Sequence, residues 1–165
     1  MNPTNDDLIL LVKDTLFRTK ITYTFENDTF IFKNWFKNTP DDLLFRIKVK
    51  NRSLIILTEH TLYCDRNEYE MIKFINLINC HYATSSLILD FTRKQIINKH
   101  FISCFESKPT TSMIRNALLL SQLYFDTFRT GFSDILLGYK AEDVFDTCLT
   151  IRTKLPSNSE STFLN

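Results

Sequence analysis

Glycine is almost missing from this 165-residue chain: two occur, Gly131 and Gly138, where average usage of about 7% would supply roughly a dozen. Both lie in the last quarter of the sequence, so neither a G-x-G-x-x-G turn nor a G-x-x-x-x-G-K-[ST] phosphate loop can be written anywhere in it. The nucleophile elbow G-x-S-x-G fails for the same reason. An excess of one charge is also missing, since 20 Lys and Arg stand against 19 Asp and Glu, whereas a nucleic-acid-binding domain usually carries a marked basic surplus on one face. The four cysteines, Cys64, Cys80, Cys104 and Cys148, are too far apart for a C-x-x-C or zinc-finger pattern. Free thiols in a reducing compartment account for them. No apolar run nears the ~18 residues that a membrane span requires. The start, MNPTNDDLILLVKD, lacks the basic, long-apolar pattern of a signal peptide. Together these features predict a cytoplasmic protein.

What the chain has in quantity is aromatic and aliphatic bulk. Fifteen Phe, six Tyr and a hydrophobic content of 44% fit one domain, expected over residues 1–153 with a polar tail at 154–165. A chain of this size buries about 70% of its unfolded surface without help from disulfides or metals.

Asn5, Asp6 and Asp7 precede an apolar-periodic stretch that predicts a helix to about Arg18. Ile21, Tyr23 and Phe25 then alternate with threonine, and Asn27-Asp28 predicts a tight turn into a second strand over 29–34. A polar loop, KNTPDD, follows at 37–42. Phe45, Ile47 and Val49 alternate with Arg46, Lys48 and Lys50, and Asn51-Arg52 turns the chain into a fourth strand near 54–58. Helical periodicity spans 67–81, two strands are expected at 86–91 and 95–103, and Pro109 opens a long helix to about Leu137, with Gly131 within it the one candidate point of interruption. A shorter helix is expected from about Ala141 to Arg152. The class is α+β, an antiparallel sheet of five to six strands in the order α-β-β-β-β-α-β-β-α(-α), with helices packed on it.

No catalytic, cofactor-binding or metal-ligating set stands out. Cys80 and His81 are neighbours on a helix and point about 100° apart. His100 and Cys104 share a strand face at a separation of some 13 Å, and His60 and Cys64 flank a predicted loop. A hydrolase or transferase built on a tertiary Cys/His site is therefore one alternative to weigh. Single-stranded nucleic-acid binding through the Arg46-Lys48-Lys50-Arg52 row, with Trp35, Phe36 and Tyr63 nearby for stacking, is another. Asn76 and Asn79 read as a polar helix side and a helix end. The acidic pairs Asp6-Asp7, Asp41-Asp42 and Glu142-Asp143 read as helix-start and loop residues.

Residues 69–104, YEMIKFINLINCHYATSSLILDFTRKQIINKHFISC, resemble the YbjN family of bacterial domains. The likeness lies in the helix with Asn76 and Asn79, the strand Leu87-Ile88-Leu89-Asp90-Phe91 and the second strand that leads to a long helix. It extends through the element order over about residues 5–138. The resemblance implies a fold akin to the class I type III secretion chaperones, a twisted antiparallel sheet with helices on it, often a homodimer that binds segments of partner proteins. It implies no enzymatic activity and no cofactor, and a regulatory role of the sensory-transduction or stress kind. This chain departs from those chaperones in being neutral where they are typically acidic, and its segment after Gly138 has no clear counterpart.

The expectation is therefore a non-catalytic protein-interaction or chaperone-like module whose partner is a protein or peptide, with neither membrane nor nucleic acid involved. The stretch between Arg115 and Asp126, NALLLSQLYF, carries no charge and is expected to be covered on two sides, making Leu120, Leu123, Tyr124 and Phe128 the candidate protein-interaction surface of a homodimer. The strand near 54–58, if it forms an edge, is a second candidate, for strand addition.

Overall fold

Local signals fix most of the element ends in the computed structural model, which describes residues 2–33, 43–82 and 85–154, the last four as backbone only. Helix α1, Asn5–Arg18, starts from Thr4, one residue earlier than the acidic run suggests. The Thr4 hydroxyl accepts the Asp7 N–H at 3.2 Å, and the Asp7 carboxylate accepts the Thr4 N–H at 2.9 Å, a reciprocal capping box. The helix closes without glycine: Lys20 takes a φ of 57°, Ile21 N–H bonds to Leu16 C=O and Lys20 N–H to Phe17 C=O, the paired bonds of a Schellman stop.

Strands β1 (Thr24–Glu26) and β2 (Thr29–Phe32) form a hairpin through Asn27 and Asp28, both at positive φ, as a turn matched to strand twist requires. Asn51 and Arg52 do the same between β3 (Leu43–Val49) and β4 (Ser53–Tyr63). Helix α2 (Glu68–His81), strands β5 (Ser86–Asp90) and β6 (Gln95–Ser103), and helices α3 (Thr111–Leu136) and α4 (Ala141–Lys154) complete the chain. The predicted loop at 37–42 with Trp35, Phe36 and the Asp41-Asp42 pair, and the tail from residue 155, lie outside the described residues.

The six strands form one antiparallel sheet in the order β1-β2-β3-β4-β6-β5. Strand β4 therefore runs inside the sheet, paired on both sides, and the residues near 54–58 have no free edge for strand addition. The edges are β1 and β5. Helices α1 and α3 pack on one face, against β4 together with β3 or β6, while α2 joins β5, α3 and α4. Inward-facing Phe45, Ile47, Leu54 and Ile56 and the helix residues Leu8, Leu16, Leu118 and Phe125 are fully buried between the layers.

The last helices are bound together by small and polar contacts as well as rings. Asn67 donates to the carbonyls of Ile135 and Leu136 at 3.0 and 3.2 Å, and Glu70 accepts the Ala141 N–H that opens α4. Helix α3 runs unbroken through Gly131, the candidate point of interruption. Gly138, at a φ of 100°, follows the helix stop, as the sequence reading placed it.

Candidate functional site

The alternation of β3, β4, β5 and β6 sends half of their side chains away from the helices, and the described helices leave that outer face open. Register aligns these side chains in three rows. In the first, Lys48 lies opposite Ile55, which lies opposite Phe101. In the second, Ile31, Arg46, Leu57 and Lys99 follow one another across β2, β3, β4 and β6. In the third, Leu44, Glu59, Ile97 and Ile88 run from β3 to β5. Side chains paired this way stand about 5 Å apart and successive rows about 7 Å. The face is thus apolar at its centre, where Ile55 and Leu57 are half-buried, and toward the β5 side, where Phe101 is 57% and Ile88 43% exposed.

Charge on this face is organised. The Glu59 side chain, only 6% exposed, accepts from Arg46 Nε at 3.0 Å and Arg93 at 3.2 Å. Arg93 also donates to Asp90 at 2.8 Å, and this guanidinium holds the Asp90 carboxyl below its ordinary range. Lys48 and Lys99 are exposed and carry no ion pair among the described residues.

The β5 edge is partly closed by a side chain. Asn79 of α2 accepts the Leu87 N–H at 2.8 Å and donates to the Leu87 carbonyl at 2.9 Å, making with its amide both bonds that a neighbouring strand would make at that residue. Its role is to tie helix to sheet, where the sequence reading had it ending a helix.

The α3 candidates divide. Phe128 and Tyr124 are buried and pack on the Tyr82 ring at 5.8 and 5.3 Å. Leu120 is half-buried, and Leu123, at 43%, is the exposed apolar residue of the charge-free stretch. That stretch is covered on two sides by its own chain, the sheet below and Tyr82 above, and Ser121 within it bonds to Asn98 of β6 at 2.9 Å.

The basic row does not form one free track. Arg46 is held by Glu59, and Arg52 donates to the Phe105 carbonyl at 2.8 Å and lies over the Phe105 ring, leaving Lys48 and Lys50 of the four. Among the Cys/His pairs, Cys64 and Cys104 donate to the carbonyls of Arg66 and Ile102. His60 is buried in β4, where its Nδ1 accepts the Leu62 N–H at 2.9 Å across an irregularity in the β4–β6 pairing. Cys80 and His81 are both exposed, with the His81 ring against Tyr82 and Phe145. Among the described residues no three metal-capable side chains converge, and no helix is long and apolar enough to cross a membrane.

Burial pushes the thiols of Cys64, Cys104 and Cys148 up, opposite to what a nucleophilic thiolate needs. A thiol reagent is therefore expected to label Cys80 promptly in the native protein and all four cysteines only in denaturant. Rapid native labelling of a second thiol contradicts this packing. Burial also holds His100 below the ordinary histidine value of 6.5, and its Nδ1 has no hydrogen-bond partner among the described residues. The folded chain thus binds this proton less readily than the unfolded chain, so stability is complete above about pH 6.5 and declines as the pH falls below it. Urea midpoints from about pH 7.5 down to about 5.5 should fall in the wild type and less steeply in His100→Gln; equal slopes remove His100 from the effect.

No family model matches the sequence, and no curated protein does. Solved structures share the fold, two of them as follows. The chain is similar to YbjN, described as a candidate transcription regulator from E. coli, with a TM-score of 0.56 and 12% identity over 77% of this chain and 94% of that one. It is also similar to a chain of the HopA1-SchA chaperone–effector complex, with a TM-score of 0.51 and 14% identity over 74% of this chain and 94% of the other. The fold is YbjN-like and secretion-chaperone-like.

Proposed function

We propose that this chain is a non-catalytic protein-interaction module, chaperone-like or regulatory, that holds a segment of a partner protein on the outer face of its sheet. The observation that carries the reading is the open apolar centre built in register by Ile55, Leu57, Phe101 and Ile88. An antiparallel sheet commonly keeps one face polar toward water, and contiguous exposed apolar surface marks interaction sites. The fold it shares with a chaperone–effector complex and a candidate regulator supports the same class of role. The raised thiols and the absence of a convergent acid–base set among the described residues favour binding over catalysis.

Photo-crosslinking in the native host tests it. A benzoylphenylalanine at position 101 should give discrete protein adducts, and the same probe at Leu123 should give few. Adducts from position 123 and none from 101 would place the partner, or a second copy, on the helix layer beside Leu120 and Leu123 and overturn the choice of face.

A further inference from the structure

Resting on the reading of the outer face as a binding surface, we infer that its partner is an acidic amphipathic segment, one that sets large apolar side chains on the sheet and carboxylates on Lys48 and Lys99. The cations of this face are of two kinds. Arg46 and Arg93 are neutralised by Glu59 and Asp90, so they frame the apolar centre without adding net charge to it. Lys48 and Lys99 have no such counter-charge among the described residues, and both border the apolar centre directly. Lys48 pairs with Ile55 and Lys99 with Leu57, so the two ammonium groups stand on opposite sides of β4.

The register sets their separation. They are two strands and one row apart, roughly 12 Å in the plane of the sheet. Two carboxylates reach that spacing at positions i and i+4 of an extended segment, with an apolar residue between them on the same side, or about two turns apart on a helix. Among the described residues, the one carboxylate of the outer face outside the Arg clusters, Glu26, lies on the edge strand β1 opposite Thr29, which in turn faces Lys48. It stands about 10 Å from Lys48 across the strands, too far to neutralise it.

The same charges argue against a second copy as occupant. A two-fold face-to-face pairing brings apolar centre onto apolar centre and gathers the unpaired lysines of both chains at one interface with no added anion among them. A chain whose overall charge is +1 thus sets two unbalanced cations, Lys48 and Lys99, where apolar surface is also open. Charge of this kind selects among partners and speeds encounter, while the apolar contacts hold the complex.

A random dodecapeptide display library, selected on the intact protein, tests the inference. Enriched sequences should carry net negative charge together with at least two large apolar residues. One enriched peptide, synthesised with a fluorophore, should bind the wild type, lose at least tenfold in affinity for the double variant K48E/K99E, and weaken as salt rises. Phe101→Asp should abolish its binding. Both lysines are exposed, so the double variant should keep the wild-type circular dichroism spectrum and melting curve. Enriched peptides that are neutral or basic, or equal binding to K48E/K99E, overturn the acidic partner while the surface stands, provided Phe101→Asp still abolishes binding. Binding that survives Phe101→Asp, or a selection that enriches nothing, overturns the surface and the acidic partner together. A dimer in sedimentation that Phe101→Asp dissociates assigns the face to a second copy and overturns the acidic partner as well.

Discussion

Replacing Gly131 with alanine is expected to destabilise the protein by about 1–2 kcal/mol, although the same change in an exposed helix would stabilise it by about 1 kcal/mol. The reason is the closeness of three helices. A Cβ at position 131 of α3 meets Phe74 Cζ of α2 at 2.5 Å and Cys148 Sγ of α4 at 2.9 Å, distances at which a neighbour must move. Phe74 cannot move freely, because its ring is buried and lies against Phe128, Phe132 and Phe145 at 5.9, 5.5 and 6.5 Å between centroids. Overpacking of this kind costs about 1–3 kcal/mol, and the helix-propensity gain offsets only part of it. Denaturant midpoints measure the loss, and the melting temperature should fall by about 2–8 °C. Combining Gly131→Ala with Phe74→Leu should cost less than the sum of the single changes, since each relieves the other. A neutral or stabilising Gly131→Ala would mean that α2 and α4 do not approach α3 so closely. Gly138→Ala makes a useful contrast: its Cβ would make only an ordinary contact with Asn67 Nδ2 at 3.9 Å, and the change loses about 1 kcal/mol through its φ of 100° alone.

The glycine deficit that excludes phosphate loops thus has a structural counterpart. One glycine is kept where helices touch and one where a helix stops, and positive φ elsewhere falls on Lys20, Asn27, Asp28, Asn51, Arg52, Asn67 and Lys94. The turns at Asn27-Asp28 and Asn51-Arg52 were legible because asparagine tolerates that backbone. The alternation in β3 was legible because its outward residues are charged. In β4 it was hidden, because Leu54-Ile55-Ile56-Leu57 is apolar at every position. The structure sends Leu54 and Ile56 inward and Ile55 and Leu57 outward. An unbroken apolar run in an antiparallel sheet means that both faces of the strand are apolar, a signal at odds with reading 54–58 as a free edge. What local pattern does not contain is pairing between distant segments. The insertion of β6 between β4 and β5, the reach of Asn79 to Leu87, and the placement of Arg93 over Glu59 all depend on which strands become neighbours. The charge-free part of α3 reads from sequence as a surface in need of a partner, yet the chain covers most of it with its own sheet and with Tyr82.

Glu59 is where the organised charge of the outer face can be tested apart from any partner. Glu59→Ala removes the acceptor of Arg46 and one acceptor of Arg93, which lie 3.0 and 3.2 Å from the same oxygen. Arg93 keeps Asp90, but Arg46 is left beside another cation with no carboxylate among the described residues. Breaking a fully buried pair costs about 3–5 kcal/mol. Here the carboxylate is buried while the arginines are 30% and 44% exposed, so solvent screening brings the expected loss to about 1–3 kcal/mol. Glu59→Gln keeps the shape and one acceptor oxygen and should lose less. Glu59→Leu replaces the carboxylate with apolar bulk in contact with the Leu44 and Ile97 positions of its row, and should lie between the wild type and alanine. Because the damage in the alanine variant includes repulsion between two guanidinium groups, raising salt from about 0.05 to 0.5 M should recover part of it. A urea titration at both salt concentrations reads all three variants. An alanine variant within about 0.5 kcal/mol of wild type would show that the two arginines are held by the sheet alone.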